Sequence, residues 1–331
     1  MTWTERRFAR NGPVELAHDR LREGGDGEPL LLVMGLAVSR YWWPQELCAA
    51  FAGAGFAVAR YDQRDAGEST RLPRSAPGGN PFTALAARRG AAYTAEDMAD
   101  DAVAVLDALG WESAHLFGHS LGGVVAQRVA LRHPDRVRTL TSSAALPSDV
   151  GGLGAFRHLR LATLAKFARI KPARDREGRI AAGLAVARLC ASPGYPFDEA
   201  EALERITTDA DTGIADPDAQ SRQIGARWSG PALSELRVPA LVLHGTDDPL
   251  LKPSAGRATA AAIPGARLVL QPGVGHDIPR ERHAGVAAEV RALADRARST
   301  STRDGSTGPA ARDGSTDPAA RDGSPGPAPT A

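Results

Sequence analysis

What this sequence has little of already excludes several classes of protein. Only two of its 331 residues are cysteine, Cys48 and Cys190, far apart and without CxxC spacing. No disulfide framework is available to them, and both read as ordinary buried or half-buried thiols. The eight histidines are scattered and no HExxH string occurs, so neither a metal site nor a cofactor can be argued. An excess of charge of one sign is also missing: 40 basic and 39 acidic residues leave a formal +1. That balance gives no electrostatic footprint for nucleic acid or for an anionic membrane. No window approaches 18 uninterrupted apolar residues, and Met-Thr-Trp-Thr-Glu-Arg-Arg at the start lacks an apolar h-region. The expectation is a cytoplasmic, unanchored protein whose partner is a small molecule.

What is present is an alternation of short apolar runs and helical patterns. Residues 3–9 and 14–20 alternate as two strands about an Asn11-Gly12-Pro13 turn. Leu30-Leu31-Leu32-Val33-Met34 and Phe56 to Tyr61 read as strands buried on both faces, with a helix opened by Pro44 between them. Residues 72–91, rich in Pro, Gly, Ala and Arg, predict a long surface loop. Thr94 with Asp97 resembles a capping box, and Met98, Ala102, Val105 and Leu106 give the following helix one apolar face. Strands are further predicted before Ser120, at 137–144, at 240–244 and at 267–270, with helices at 253–263 and 280–297. This rhythm predicts an α/β protein with a mainly parallel central sheet and helices on both faces.

Between about 146 and 236 the strand runs disappear and Arg-rich and Ala-rich helical segments take over, as in a helical insertion. The expected organisation is a core of residues 1–145 and 237–298, a helical lid of 146–236, and a tail of 299–331. The tail repeats Arg-Asp-Gly-Ser every nine residues with almost no apolar bulk, a composition that predicts disorder.

Chemistry concentrates at Gly118-His119-Ser120-Leu121-Gly122. A string GxSxG arises by chance in roughly one sequence in five of this length and composition, so its placement carries the argument. Here it joins a strand to a helix, as a nucleophile elbow does, and the first amides of that helix, Leu121's among them, point to where an oxyanion develops. A serine needs a histidine to take its proton and a carboxylate to orient that histidine. In a parallel sheet these belong in loops after strands. Two such loops qualify: Gly245-Thr246-Asp247-Asp248-Pro249 and Gly273-Val274-Gly275-His276. Asp248 is the expected acid, held extended by Pro249, with Asp247 as a turn residue, and His276 is the expected base. His244, His283 and His119 read as structural, His119 pointing away if the elbow forms. The second oxyanion donor is expected in the loop after strand 30–34, at the Leu36 amide. Trp42 and Trp43 either wall the pocket or belong to the core, and Trp228 is expected to help shape the lid over the pocket. Asp62-Gln63-Arg64-Asp65 reads as an ion-paired loop more readily than as a substrate site.

These residues together give a resemblance. Val33-Met34-Gly35 followed by Trp43-Pro44, the run Arg60 to Ser69, Asp101 to Leu109, Gly118 to Gly123, Gly194 to Asp198, His244 to Pro249 and Gly273 to His276 resemble the lidded α/β-hydrolases of bacteria, and in particular the aclacinomycin methylesterase group. The resemblance covers residues 1 to about 297. It implies the α/β-hydrolase fold, with Ser120, Asp248 and His276 as triad and Leu36 and Leu121 as oxyanion donors. It also implies hydrolysis of a carboxylic ester, such as a methyl ester on an aromatic polyketide, without cofactor or metal. Lactonases, thioesterases and cofactor-free haloperoxidases or perhydrolases share the fold and are the alternatives. A noncatalytic small-molecule binder is the alternative from another class, although a binder needs none of the three triad residues together.

Overall fold

The apolar runs at 30–33, 56–61, 114–118 and 240–244 become the middle of a single sheet. A computed structural model of the chain describes residues 1–72, 84–85, 92–167, 169–170, 175–212 and 217–304. Its strands are β1 (Arg7–Asn11), β2 (Val14–Arg20), β3 (Glu28–Val33), β4 (Phe56–Tyr61), β5 (Ala114–His119), β6 (Val137–Ser143), β7 (Ala240–Gly245) and β8 (Arg267–Gln271). They lie in the order β1-β2-β4-β3-β5-β6-β7-β8. The β1–β2 and β2–β4 pairs are antiparallel, and every pair from β4–β3 onward is parallel. The predicted first strand begins later than its sequence pattern suggests. Trp3 makes only an isolated bridge to Leu21, and the hairpin pairing starts at Arg7 with His18.

Alternate residues of one strand feed opposite faces of the sheet, because side chains alternate along an extended chain. Leu31 and Val33 join Leu116, Leu140, Met98 and Val129 on one face. Leu30 and Leu32 join Phe117, Leu241, Leu47, Phe51 and Val290 on the other. The first face is covered by α2 (Ala95–Ala108) and α3 (Leu121–Arg132), the second by α1 (Gln45–Gly53) and the last helix. Leu30, Leu31, Leu32 and Val33 are all fully buried, each contributing about 1.5–3 kcal/mol of hydrophobic stabilisation. Helix α2 starts with the expected cap: Thr94 accepts from the Asp97 amide while Asp97 accepts from the Thr94 amide.

The insertion between β6 and β7 contains α4 (Leu153–Phe156), α5 (Leu161–Phe167), α6 (Arg176–Cys190), α7 (Glu199–Thr212) and α8 (Pro217–Gly225). Helices α6 and α7 pack through Ala187, Ala202 and Ile206, and Trp42 of the core packs against the same cluster. After β7 come α9 (Ser254–Ala262), β8 and α10 (His283–Asp304). Helix α10 runs past residue 298, where the sequence predicts the core to end. The loop expectation for 72–91 and the remainder of the expected tail, 305–331, lie mostly outside the described residues. Among the described residues no helix is long and apolar enough to cross a membrane.

Candidate active site

Four loops meet at the carboxyl ends of the parallel strands: those after β3, β5, β7 and β8. Ser120 is the turn between β5 and α3, with φ 55° and ψ −123°. Such angles cost an L-residue about 1–3 kcal/mol and persist only where the surroundings enforce them. Here the Ser120 amide donates to Ser143 O at 2.8 Å, and Ser120 O accepts from the Gly123 amide at 3.0 Å. The glycines on either side are required by space. A Cβ on Gly118 would lie 2.2 Å from Gly122 O, and one on Gly122 would lie 2.0 Å from Val33 O. Both clashes are with backbone, so no side chain can move aside.

His276 reaches the serine from the loop after β8. Its Nε2 is 3.0 Å from Ser120 Oγ and its Nδ1 is 2.7 Å from Asp248 Oδ2. The other oxygen of Asp248 accepts from the amides of Leu250 and Leu251 at 2.7 and 2.8 Å. Asp248, not Asp247, is therefore the carboxylate that the turn aims at the imidazole, while Asp247 bonds Thr246 and the Gly273 amide. Burial alone would favour the neutral forms. For Asp248 the His276 charge and hydrogen bond and the Leu251 amide outweigh burial, holding its pKa below the usual carboxylate range. For His276 burial is likewise outweighed, by the charge and hydrogen bond of Asp248 and by the charge of Asp277, so its pKa lies above that of a free imidazole. The arrangement can accept a proton from Ser120 at Nε2 and stabilise the resulting imidazolium.

The three histidines that the sequence suggests are structural have local partners. His244 is buried and its Nε2 donates to Leu251 O, and His283 Nε2 donates to Ile278 O. His119 does not point clear of the site as expected. Its ring lies 5.2 Å from that of His276 and its Nδ1 is 3.2 Å from Ser143 Oγ. Burial, reinforced by the His276 charge, drives its pKa down to about 3, so it stays neutral.

The loop after β3 comes over the serine: a Cβ on Gly35 would lie 3.2 Å from Ser120 Cβ. That approach brings the loop that carries Leu36 up against the serine. Leu121 is the first residue of α3, where the helix dipole favours negative charge. The loop is pinned along its length. Gln63 Nε2 donates to Met34 O at 2.5 Å, Gln223 Oε1 accepts from the Ala37 amide at 2.8 Å, and Asp209 and Asp62 accept from the Ser39 and Arg40 amides. The Asp62 to Asp65 segment is thus an ion-paired scaffold. Arg40 binds Asp62 and Asp19, Arg64 binds Asp101, and Asp65 binds Arg222 of α8.

Of the predicted tryptophans, Trp43 is core, 5.7 Å from the Phe117 ring, and Trp42 joins core to insertion, its carbonyl accepting from Arg205. Trp228 is a correction to the sequence reading. It lies over Arg128, two turns along α3 from Ser120, with its Nε1 donating to Pro231 O. Sequence spacing places it in the insertion, but the chain there has already returned to the flank of the sheet. Ser192, Asp209, Arg222 and Gln223 were not legible as site-forming residues. Their partners lie 83 to 186 positions away, and no local pattern announces them.

A model of the alpha/beta hydrolase fold matches residues 28–186, and a model of TAP-like proteins matches residues 219–299. The chain is 31% identical over 307 residues to the rhodomycin D methylesterase DnrP of Streptomyces peucetius, an alignment covering 86% of this chain and 96% of that protein. It is 32% identical to the rhodomycin D methylesterase DauP of Streptomyces sp. (strain C5), over 79% of this chain and 89% of the other. Among solved structures, an esterase from Rhodococcus sp. ECU1013 superposes with TM-score 0.66 at 23% identity, covering 88% of this chain and 99% of the other, a likeness of fold.

Proposed function

The chain belongs to the alpha/beta hydrolase family, and from that premise we propose a carboxylic ester hydrolase that works through an acyl-enzyme on Ser120. Ser120 Oγ attacks the ester carbonyl as its proton passes to His276 Nε2, while Asp248 holds the imidazole by Nδ1. The amides of Leu36 and Leu121 bind the oxyanion. His276 returns the proton to the departing alcohol, then takes one from water, whose attack on the acyl group releases the acid and restores Ser120. The observation that carries this reading is the continuous hydrogen-bonded chain from Asp248 through His276 to Ser120, at 2.7 and 3.0 Å. The helices of the insertion, α4 to α8 (Leu153–Gly225), act as the lid, and no metal or cofactor enters any step.

The substrate class we infer is a small-molecule methyl ester of the aromatic polyketide type. Its support is the likeness to rhodomycin D methylesterases along most of both chains. Treating the protein with a fluorophosphonate and reading intact mass tests the nucleophile. The expected result is one phosphonyl adduct on Ser120, absent from the Ser120→Ala and His276→Ala proteins. A folded protein that takes no adduct, or a Ser120→Ala protein with full esterase rate, overturns the reading. A panel of polycyclic aromatic methyl esters, lactones and thioesters tests the class, with the methyl esters expected to give the highest kcat/KM.

A further inference from the structure

We propose that Ser192 and Asp277 are positioning residues for His276, a bonded pair through which the insertion sets the aim of the imidazole. The proposal rests on His276 being the base of the reaction above. Ser192 lies just after α6 and is 4% exposed. Its Oγ accepts from the Gly275 amide at 2.7 Å and donates to Asp277 Oδ1. One hydroxyl therefore holds both neighbours of His276. The carbonyl of Cys190, two residues earlier, accepts from the amides of His276 at 2.9 Å and Asp277 at 3.2 Å, and the Gly194 amide donates to Gly273 O at 3.0 Å. The amides of residues 275, 276 and 277 thus all end on Cys190 or Ser192. The contact is backbone on backbone: a Cβ on Gly275 would lie 2.6 Å from Ala191 O.

The loop after β7 holds only the first part of the histidine loop, at Gly273 and Val274, and the insertion supplies the acceptors for the amides of residues 275 to 277. A misplacement of 1 Å at a catalytic group costs about a hundredfold in rate, so the loop's aim has direct chemical weight. Charge adds a second effect. The groups facing His276 are Asp248 from the loop after β7, Asp277 from its own loop, the neutral His119 from the end of β5, and His244 of β7, whose own pKa burial lowers. Asp277 in turn faces Ser192 and, from α7, Arg205. Its carboxylate favours the imidazolium that forms when Ser120 gives up its proton.

The test compares Ser192→Ala and Asp277→Asn with the unaltered enzyme, using p-nitrophenyl acetate as probe and fluorophosphonate titration to count reactive serines. Rates per reactive serine remove any loss through misfolding, and Asp277→Asn keeps the shape and the acceptor while removing the charge. Ser192→Ala is expected to lower kcat about tenfold or more with KM within about twofold, because the histidine loop loses its anchor. Asp277→Asn is expected to move the acid limb of kcat/KM to lower pH. Unchanged kcat per site in the first variant together with an unchanged pH profile in the second overturns the proposal, since a merely structural pair would alter only melting. An unaltered enzyme that takes no phosphonyl group on Ser120 defeats the hydrolase reading itself, and the positioning role falls with it.

Discussion

Replacing Arg222 with methionine should separate the fastening of the insertion from its packing. The Arg222 guanidinium meets Asp65 in a fork, Nε to Oδ2 at 2.7 Å and Nη2 to Oδ1 at 2.9 Å, and both side chains are fully buried. Arg222→Met keeps most of the stem and removes the cation, which leaves a carboxylate buried without its counter-charge. Breaking such a pair from one side costs about 3–5 kcal/mol, mostly as the desolvation of the group left behind. For a chain of 331 residues the unfolding entropy is near 0.7 kcal/mol/K, so the melting temperature should fall by about 4–7 °C. Asp65→Asn should cost a similar amount, and it keeps the left-handed backbone at residue 65, φ 66°, that asparagine tolerates. Combining the two substitutions leaves no unpaired charge, so the double variant should melt above the sum of the single losses by at least half. Differential scanning calorimetry on the four proteins checks this. Single losses below about 1 °C, or strict additivity, would refute the argument that a desolvated charge pair holds α8 on the core.

The pH dependence follows from the His276 environment. Burial lowers its pKa, but Asp248 and Asp277 raise it by more, to above the ordinary 6.5. Activity needs the neutral imidazole, so kcat/KM should be lost as pH falls through that raised value, with an acid limb above pH 6.5. The stability linked to this shift runs the other way, being complete below the ordinary imidazole value and lost as pH rises through the raised one. An acid limb below 6.5 with p-nitrophenyl acetate would contradict the electrostatics. Gly122→Ala is expected to lower stability by about 1–3 kcal/mol and to slow phosphonylation of Ser120 about a hundredfold. The added carbon would sit 2.0 Å from Val33 O and 2.5 Å from Met34 O, forcing α3 away from the loop that carries Leu36. A variant labelled at the unaltered rate would show that the close approach is not needed.

Local rules account for most of what could be read in advance. The Thr94 and Asp97 cap, the helix start at Pro44 and the apolar runs of β3, β4 and β7 need only near neighbours to form, so their elements start within a residue or two of where the pattern puts them. The Gly118-Ser120-Gly122 turn was legible for the same reason, since the space it requires is set by five consecutive residues and the strand before them. Helix α10 was legible in kind but not in length, because nothing in the polar sequence beyond Ala297 marks where the helix stops.

The sequence by itself determined the parallel sheet, the elbow and the order in which Ser120, Asp248 and His276 follow their strands. Each depends on the pattern of apolar and turn residues within about ten positions. Only the tertiary structure decided that Trp228 lies over Arg128, and that Ser192, Asp209, Arg222 and Gln223 reach back to the histidine loop, the Leu36 loop and Asp65. Those contacts join residues brought together by the packing of the insertion on the sheet. A buried hydroxyl, carboxylate, guanidinium or amide has no periodicity, and its partner exists only once both segments are in place.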